Sequence, residues 1–388
     1  MAKKNEDDVE LIDDEVDSKK EKKTKKVNKK ESKSNKKLFI IGGIVLGVIV
    51  VVGLILLFGG KKEEIPKGTP QKEEPVEEPK EDSQSTVDSK DVKIIDVNSK
   101  TRPYAIMINC KNEALPQAGL QDAYIVYELL VEGGITRMLA IFKDVDLNKI
   151  GSVRSARVQY FAYAFENDAV YVHAGGSPES LNRISADKIA DIDVDGKYGV
   201  RDKSLNRAWE HVLVTDSSHL SKAMSEKKLR STTEQKNLLH YESVELDLSK
   251  YNDKKEAKEV DIKNSNYRTA VYKYDEANKN YLRFMNNKKN TDLVTGEQYH
   301  VKNIIVYGVN HTTYTYKSKT QYQKPHNIGS GEGYYITDGY ALPITWEKKD
   351  EASQTVYKYK ETGEELVVND GNTYIQIYPS NGGKLTIK

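Results

Sequence analysis

The sequence predicts an α+β protein in which an N-terminal membrane helix precedes an α/β layered domain and then a mostly antiparallel, β-rich domain. Three observations support this fold class. Residues 38–58 form a long apolar run without a charge. Residues 94–250 alternate between short apolar segments typical of strands and amphipathic segments typical of helices. Residues 260–388 consist largely of short segments of alternating polarity, separated by Asn, Gly and Asp.

The overall composition limits the classes of partner. The chain has 388 residues with 60 Lys and Arg against 59 Asp and Glu, so no net field attracts nucleic acid and no such partner is expected. Cys110 is the single cysteine, so no internal disulfide can form, which fits an envelope protein stabilised by its core. The 25 tyrosines against 6 phenylalanines indicate half-buried sheet positions or, alternatively, rings that stack on sugars.

Residues 1–37 are predicted to be a disordered, charged cytoplasmic tail. The stretch 19–37 carries eleven lysines against two glutamates, and such a segment cannot bury enough apolar surface to fold. The lysines could be interpreted as a nucleic-acid site. Their position directly before an apolar run favours a role in membrane topology and contact with lipid headgroups.

Residues 38–58 are predicted to be a single transmembrane helix. The run has 21 residues and no charge, and at about 1.5 Å per residue it spans roughly 30 Å, the thickness of a bilayer core. The lysines before it place the N-terminus in the cytoplasm and the C-terminal domains outside the cell. A cleaved signal peptide is the alternative, but the run is longer than usual and no Ala-x-Ala site follows it.

Residues 59–93 are predicted to be an extended linker. Four prolines are spaced among Glu and Lys residues: Pro66, Pro70, Pro75 and Pro79. Such a chain is semi-rigid and solvated, and at about 3.1 Å per residue it could hold the next domain up to roughly 90 Å from the membrane.

The domain over 94–250 opens with a predicted buried strand, YAIMI, followed by a hairpin. The segments AYIVYELLVE and ITRMLAIF are apolar and β-branched, and Gly133-Gly134 between them is the dipeptide of a tight turn. Ser152 or a nearby serine would then cap a helix that carries Arg154 and Arg157, three residues apart and so on one face.

A strand-to-helix turn follows in the same domain. The strand AVYVHA contains His173 and leads into the turn GGSP and a predicted helix over 178–192, with the proline where a first helical turn accepts it. Such a turn directs free backbone N–H groups outward and suits an anion. The segment SSHLSKAMSEKKLRS is a further helix candidate. We therefore expect a polar site in this region.

The domain over 260–388 follows a lysine-rich joint and is predicted to be mostly antiparallel sheet. Its strand candidates alternate in polarity and include RTAVYKYD, KNYLRFMN, KNIIVYGVN, GEGYYITDG, YALPITWEKK and NTYIQIYPS. The glycine run GSGEG lies between strands and follows no βαβ pattern, so it indicates a close backbone approach rather than a nucleotide site.

The candidate ligand-binding residues combine arginine forks, a histidine, a small-residue turn and two glutamates. Arginine binds carboxylate or phosphate through a planar fork of donors. The predicted ligand-binding set is Arg137, Arg154, Arg157, His173, Gly175, Gly176, Ser177, Glu128 and Glu132. The structural alternative is that the arginines pair with Glu128 and Glu132 and so hold the hairpin onto the helix.

No catalytic residue, metal site or cofactor is expected. Cys110 with His173 and Arg154 could form a transpeptidase-like site, but a small residue at the end of a buried strand is usually a packing residue. The stretch from Asp191 to Asp202 has the alternating carboxylates of a calcium loop. Asp stands where the bidentate Glu belongs, so a plain acidic turn is the preferred interpretation.

Several long segments resemble the YerB-like family of bacterial envelope lipoproteins, a family of two domains whose biochemical role is not established. They are VYELLVEGGITRMLAIF, IGSVRSAR, YVHAGGSPES, GSGEGYYITDG with ITWEKK, and GNTYIQIYPS. The resemblance covers roughly residues 100 to 380 and recurs in order, which is more specific than one short motif. Glu128, Glu132, Asn109 and His211 match the family pattern, whereas Cys110 departs from it. No cysteine ends the apolar run, so a helix replaces the lipid anchor here.

The resemblance and the membrane helix imply an extracytoplasmic protein of the cell envelope, lipoprotein-like but anchored by residues 38–58. A binding role is favoured, either for a wall-derived glycan or peptide or for an envelope protein. The alternative is a hydrolase or transpeptidase of cell-wall remodelling that uses a carboxylate or Cys110.

Overall fold

A computed structural model of the chain describes residues 92–388. The predicted tail and membrane helix, and the linker up to residue 91, lie outside these residues. Within the described part, no helix combines the length and the apolar character that a membrane crossing requires. All of the described residues belong to one compact unit.

The first part of the described chain contains short strands and short helices. Its strands are β1 (Tyr104–Asn109), β2 (Ile125–Leu130), β3 (Thr136–Phe142), β4 (Ile150–Gly151), β5 (Val170–His173), β6 (Asp191–Asp193), β7 (Val200–Arg201), β8 (Leu213–Thr215) and β9 (His240–Glu242). Its α-helices are α1 (Phe161–Phe165), α2 (Pro178–Ala186) and α3 (Ser217–Lys227). Short 3₁₀ helices occupy Asn112–Ala114, Leu120–Asp122, Glu132–Gly134, Val158–Tyr160, Lys203–Leu205, Trp209–His211 and Leu248–Lys250.

The second part of the described chain is built from strands. They are β10 (Lys255–Glu256), β11 (Glu259–Lys263), β12 (Thr269–Asp275), β13 (Asn280–Met285), β14 (Lys288–Lys289), β15 (His300–Val301), β16 (Asn303–Val309), β17 (His311–Tyr314), β18 (Tyr322–Pro325), β19 (Gly329–Thr337), β20 (Tyr340–Lys348), β21 (Val356–Tyr359), β22 (Val367–Asn369), β23 (Thr373–Pro379) and β24 (Lys384–Ile387).

Strands from both parts join in one large mixed sheet. Its order is β10-β20-β19-β16-β23-β2-β3-β1-β5-β6, with β21 paired to β20. The predicted hairpin β2-β3 is antiparallel and present. The penultimate strand, β23, lies parallel to both β2 and β16. Because β23 sits between the two parts of the chain, the sheet is complete only when nearly the whole chain has been incorporated.

A second sheet covers one face of the large sheet. It is antiparallel, with the order β14-β13-β12-β11-β24 and with β15 paired to β13. Ile106 and Val126 of the large sheet share a core with Val260 and Tyr272 of the second sheet. The opposite face of the large sheet carries a separate core, in which α1 and the segment before it pack on β1, β2 and β3. Alternating side chains of each strand therefore enter two different cores.

The fold is richer in strand than the sequence predicted. The α-helices contain only 5, 9 and 11 residues, and a sheet rather than a layer of helices covers one face. The prediction of a layered α/β domain over 94–250 is therefore wrong in its balance of elements. Both predicted domains contribute strands to the large sheet, and the proposed boundary between residues 250 and 260 stays a prediction.

The predicted helix around Arg154 is also wrong. The segment 152–157 is extended, because its backbone groups are taken by neighbouring strands. The N–H of Arg154 donates to the carbonyl of Met107 at 2.9 Å, and the N–H of Ala156 donates to the carbonyl of Gly175 at 2.9 Å. Helical hydrogen bonds begin only at Val158. The next predicted helix, over 178–192, is present but ends at Ala186.

Two fully buried ion pairs connect the first part of the chain to the second. Glu128 on β2 accepts from Arg283 on β13 at 2.7 Å. Glu166 after α1 accepts from Lys348 at the end of β20, also at 2.7 Å. Each pair carries further hydrogen bonds, so neither charge is left without partners in the core.

Candidate functional site

Most of the predicted site residues lie near the carboxyl ends of β1 and β5, inside the large sheet. Asn109, the last residue of β1, is the register partner of Arg137 near the start of β3. The extended segment 152–157 crosses the end of β1 and then pairs with the turn after β5. Arg154 and Arg157 are thereby held at the carboxyl ends of two parallel strands, where open α/β sheets commonly bind ligands.

A carboxylate bridges two of the three arginines. Glu132, in the turn of the hairpin, accepts from Arg137 Nη2 at 3.2 Å. It also accepts from Arg157, through Nε at 2.9 Å and through a second, shorter contact to Nη2. Each of these arginines also donates to a backbone carbonyl of the crossing segment: Arg137 Nη1 to Ser155 at 2.6 Å, and Arg157 Nη1 to Ala156 at 2.8 Å.

The third arginine has no carboxylate of its own. Arg154 Nη1 donates to the backbone carbonyl of Glu210 at 3.2 Å, and no ion pair involves Arg154 among residues 92–388. The carboxylate of Glu210 instead lies 3.5 Å from the ring of His211. Two of the three guanidinium groups therefore share Glu132, while Glu210 acts on Arg154 only through its nearby charge. Three positive groups face two negative ones, so the positive charge is incompletely balanced.

Burial sharpens this imbalance. Arg137 is only 4% exposed, and its Nε has no hydrogen-bond acceptor among the described residues. Burial, and then the neighbouring Arg157, lower the pKa of Arg137 to about 9. Burial also lowers the pKa of Arg154. Both shifts have the cause expected for cations removed from water without full compensation, and a bound anion would reverse them.

The neighbouring wall of the site is polar and uncharged. Asn109 and His211 are both buried, and the Asn109 amide nitrogen lies 2.9 Å from His211 Nδ1. Burial lowers the pKa of His211, so this ring is neutral at pH 7. His211 matches the family pattern, and the structure places it one residue from the carbonyl that accepts from Arg154.

The turn after β5 holds the other predicted residues, but most of its polar groups are already used. His173 is 1% exposed, with its nitrogens 2.8 Å from the Gly175 carbonyl and 3.2 Å from Asp191 Oδ2. The N–H of Gly175 donates to Asp193, and that of Ser177 to the Ala156 carbonyl. Ser177 caps α2, as its position before Pro178 predicts. A ligand role for His173, Gly175, Gly176 and Ser177 stays a prediction.

Glu128 does not join the cluster. In the register of the hairpin it pairs with Met138, and because side chains alternate along a strand, Arg137 points to the opposite face. Glu128 is fully buried and accepts from Arg283, Thr136 and Gln376 at 2.7, 2.6 and 3.1 Å. Glu132 therefore binds two of the three arginines, whereas Glu128 binds none of them.

Aromatic side chains that the sequence did not single out flank the arginines. Trp209 lies beside Glu210, is 63% exposed, and stacks on the Arg201 guanidinium at 4.1 Å from its ring centroid. On the other side, the Tyr322 ring of β18 lies 5.7 Å from the Arg157 guanidinium carbon. Trp209 is one of two tryptophans in the chain and could have been noticed from the sequence. Tyr322 is 165 residues from Arg157, and no local sequence pattern connects the two.

We expect Glu132→Gln to destabilise the folded chain at neutral pH by about 3 kcal/mol, because it removes the counter-charge of two largely buried arginines. Burial alone would raise the pKa of Glu132, but Arg137 and Arg157 lower it to about 2. A lowered carboxyl pKa stabilises the fold above the ordinary value of 4.5 and loses this effect as pH falls towards 2. Urea denaturation of both proteins at several pH values measures the difference.

The difference between the parent and Glu132→Gln should therefore shrink as the pH falls from about 4.5 to about 2. Glu234→Gln provides a matched control, since this side chain is 87% exposed in a surface pair with Lys100. A difference that stays constant over this range would contradict the ion-pair assignment of Glu132.

Cys110 lies on the other side of β1 from Asn109 and is fully buried. Its sulfur contacts the Ile108 carbonyl and the Gln117 amide, both at 3.9 Å. Burial, and then Glu128, raise the pKa of the thiol to about 12. The thiol is therefore protonated at neutral pH, and the arginine cluster and His173 have other partners.

We expect Cys110 to be inert in the native chain, since the thiolate is the reactive form. An aromatic disulfide reagent should modify it only after denaturation, and Cys110→Ser should cost about 1–3 kcal/mol for burying a hydroxyl. Rapid modification of the folded protein would instead support a nucleophilic role.

The acidic stretch from Asp191 to Asp202 does not converge on one point. Asp191 accepts from Lys227 and contacts His173, Asp195 pairs with Arg201, and Asp202 pairs with Lys149. In the described part of the chain no group of three or more acidic, histidine or cysteine side chains could hold a metal ion. Asp191, Asp195 and Asp202 are thus occupied by basic partners, whereas Asp193 accepts from the backbone N–H groups of Gly175 and Asp195.

The structure is that of a β-rich protein whose two parts contribute strands to one sheet. An arginine cluster lies at the carboxyl ends of two of these strands. Two family models match the chain, both described as a protein of unknown function, DUF3048. The N-terminal domain model matches residues 92–230, and the C-terminal domain model matches residues 259–375. Between them they cover most of the described residues.

The chain belongs to the YerB-like family, whose two domains are these. A Bacillus subtilis (strain 168) relative named "Putative lipoprotein YerB" is 28% identical over 285 residues, covering 72% of this chain and 82% of the relative. A crystal structure of YerB from Bacillus subtilis has the same fold, with a TM-score of 0.63 and 24% identity, covering 74% of this chain and 94% of the other. The family resemblance of the sequence is confirmed.

Proposed function

We propose that the chain is a membrane-anchored extracytoplasmic protein that binds an anionic group of a cell-envelope ligand at the arginine cluster of Arg137, Arg154 and Arg157. The observation that carries the proposal is the charge imbalance of that cluster, where Arg137 and Arg157 share the carboxylate of Glu132 and Arg154 has no ion pair among the described residues. Placement outside the cell is supported by the apolar run at 38–58 and by a relative whose name calls it a lipoprotein.

The three arginines would play different parts. Glu132 accepts two hydrogen bonds from Arg157, from Nε and Nη2, so the guanidinium group of Arg157 is held in a fixed position. Arg154 is half-buried and spends one donor on a backbone carbonyl, which leaves the rest of its fork for a carboxylate or phosphate. Arg137 lies below with its Nε unused among the described partners, and adds charge at short range.

Partial burial would make such an anion site effective. Charge-assisted hydrogen bonds strengthen where water is displaced, and an anion here would restore the balance that burial of Arg137 and Arg154 disturbs. The exposed ring of Trp209 next to Glu210 provides apolar surface near the charge, while the Tyr322 ring beside Arg157 is itself buried. A ligand with an anionic group on a sugar or peptide scaffold suits this combination.

Sedimentation with purified cell wall tests the proposal. The full-length chain, purified in detergent, should sediment with the wall, and free inorganic phosphate or acetate should release it at constant ionic strength. The supernatant should contain no soluble wall fragments, since binding consumes nothing. Failure to sediment, or release that follows ionic strength alone, would contradict the proposal. Steady appearance of wall fragments would favour the remodelling enzyme instead.

A further inference from the structure

A second cleft lies on the face of the large sheet opposite to Arg137. It has a volume of about 560 Å³ and crosses four neighbouring strands, β23, β16, β19 and β20. Along β16, Gly308 lies on the same face as Ile304 and Val306, whose side chains pack in the core beneath the second sheet. Along β3, Arg137 lies on the same face as Leu139, whose side chain packs in the other core. The two sites are therefore separate.

The floor of the cleft is a tyrosine ring laid over a glycine. Gly308 on β16 and Tyr378 on β23 are register partners, and a Cβ added at Gly308 would lie 2.8 Å from Tyr378 Cζ. The ring therefore occupies the space that any other residue at position 308 would need. A ring that covers a strand glycine stabilises a sheet, but Tyr378 is only half-buried and its ring borders the cleft.

A second tyrosine in the cleft is less free. Tyr334 on β19 also lines the space, but the ammonium of Lys255 lies over its ring at 4.1 Å from the centroid. The available stacking surface is therefore that of Tyr378. Tyr378 can therefore stack on a ligand, whereas Tyr334 only lines the side of the cleft.

The rim of the cleft carries acidic and amide groups. Asn252 donates to Glu361 from its backbone N–H at 2.9 Å and from its side chain at 2.8 Å. Asp253 lies beside them, and burial, followed by Glu361, raises its pKa. Glu332 accepts from Lys360 at 2.7 Å. The rim thus offers three carboxylates, one amide and one ammonium group.

The geometry points to this cleft as a binding site for a neutral oligosaccharide. An aromatic platform receives the apolar face of a sugar ring, and the surrounding carboxylates and amide accept from and donate to its hydroxyl groups. Three carboxylates outnumber the ammonium groups of Lys360 and Lys255 and so disfavour an anionic ligand, which means that this site selects against the ligands that the arginine cluster attracts. The volume lies within the range usual for small-ligand sites.

Calorimetric titration of the full-length chain with chitotetraose, cellotetraose and maltotetraose tests the assignment. At least one of these neutral tetrasaccharides should bind, and Tyr378→Ala should weaken its binding by about tenfold or more, the scale of a lost stacking contact. Tyr267→Ala is the matched control, because Tyr267 is 72% exposed and lies outside the cleft; it should bind like the parent.

Gly308→Ala provides a second variant that keeps every ring of the cleft. The added methyl would displace Tyr378 from its position, so binding should weaken, and a cooperative thermal melt verifies that the variant is folded. This variant decides the question if Tyr378→Ala fails to fold. Binding of none of the three tetrasaccharides, or parental affinity in both cleft variants, would overturn the assignment. Arg154→Gln should leave tetrasaccharide binding unchanged, which separates this site from the arginine cluster.

Discussion

Replacing Arg283 by methionine is expected to destabilise the folded chain by about 3–5 kcal/mol, which is the usual cost of leaving a buried charge without its partner. Arg283 and Glu128 are both 0% exposed, and the guanidinium donates to the carboxylate at 2.7 Å. Burial would raise the pKa of Glu128, but Arg283 and its hydrogen bonds lower it. Without Arg283, Glu128 keeps only Thr136 and Gln376 as partners and must be buried charged or take up a proton.

The double variant Arg283→Met with Glu128→Leu should recover much of this loss, because an apolar pair of similar volume carries no desolvation cost. Recovery should be incomplete, since Asn290 also accepts from Arg283 and would lose that donor. Urea denaturation of the parent, both single variants and the double variant measures the coupling. Arg230→Met serves as control, since Arg230 is half exposed in a surface pair. A double variant as unstable as the sum of the singles would contradict this account.

The position of this pair also predicts how the protein unfolds. Glu128 lies in the region matched by the N-terminal family model and Arg283 in the region matched by the C-terminal one. The central strand β23 pairs with strands of both. Loss of the Glu128–Arg283 pair or of the β23 pairing should lower the stability of both regions. Unfolding of residues 92–388 should therefore follow a single cooperative transition.

Local patterns in the sequence were sufficient for the hairpin that holds the site. AYIVYELLVE and ITRMLAIF have the composition of buried strands, and Gly133 and Gly134 both adopt positive φ angles of 69° and 72° in the turn between them. Glycine adopts such backbone angles more readily than any other residue. The same local logic predicted that Ser177 precedes the helix that starts at Pro178.

The conformation of the arginine segment depended on distant residues. The spacing of Arg154 and Arg157 suits a helix, and nothing in SVRSAR opposes one strongly. The carbonyl of Met107 and the carbonyl of Gly175 instead take the backbone N–H groups of this segment. Intrinsic propensity is a weak preference, and two strand neighbours that are remote in sequence outweighed it here.

The partners of the two glutamates show a second limit. Glu128 and Glu132 are four apart, so a continuous strand would place them on the same face. The strand ends at Leu130, and the 3₁₀ turn over 132–134 directs Glu132 to the arginines while Glu128 stays beneath the second sheet. Arg283 lies 155 residues further along the chain, and only the tertiary fold reveals that it is the partner of Glu128.

Arg154→Gln is expected to abolish anion binding with little loss of stability. The side chain makes one hydrogen bond, to a backbone carbonyl, and no ion pair among the described residues, so its removal should cost only about 1 kcal/mol. Arg137→Gln should behave differently, because Arg137 is buried and bridges Glu132 and the Ser155 carbonyl. Its loss should reduce stability as well as binding.

The most direct test of the arginine cluster is the stabilisation that an anion confers on the full-length chain. Thermal melts with inorganic phosphate, or with acetate, against chloride at equal ionic strength should show a rise in melting temperature for the parent. An anion at a hundredfold excess over its dissociation constant stabilises the native state by about 2.7 kcal/mol. The rise should persist in Arg230→Gln, which lies near Asp168 before β5, and should disappear in Arg154→Gln. An equal rise in Arg154→Gln, or no rise in the parent, would contradict the claim that these arginines form an anion site.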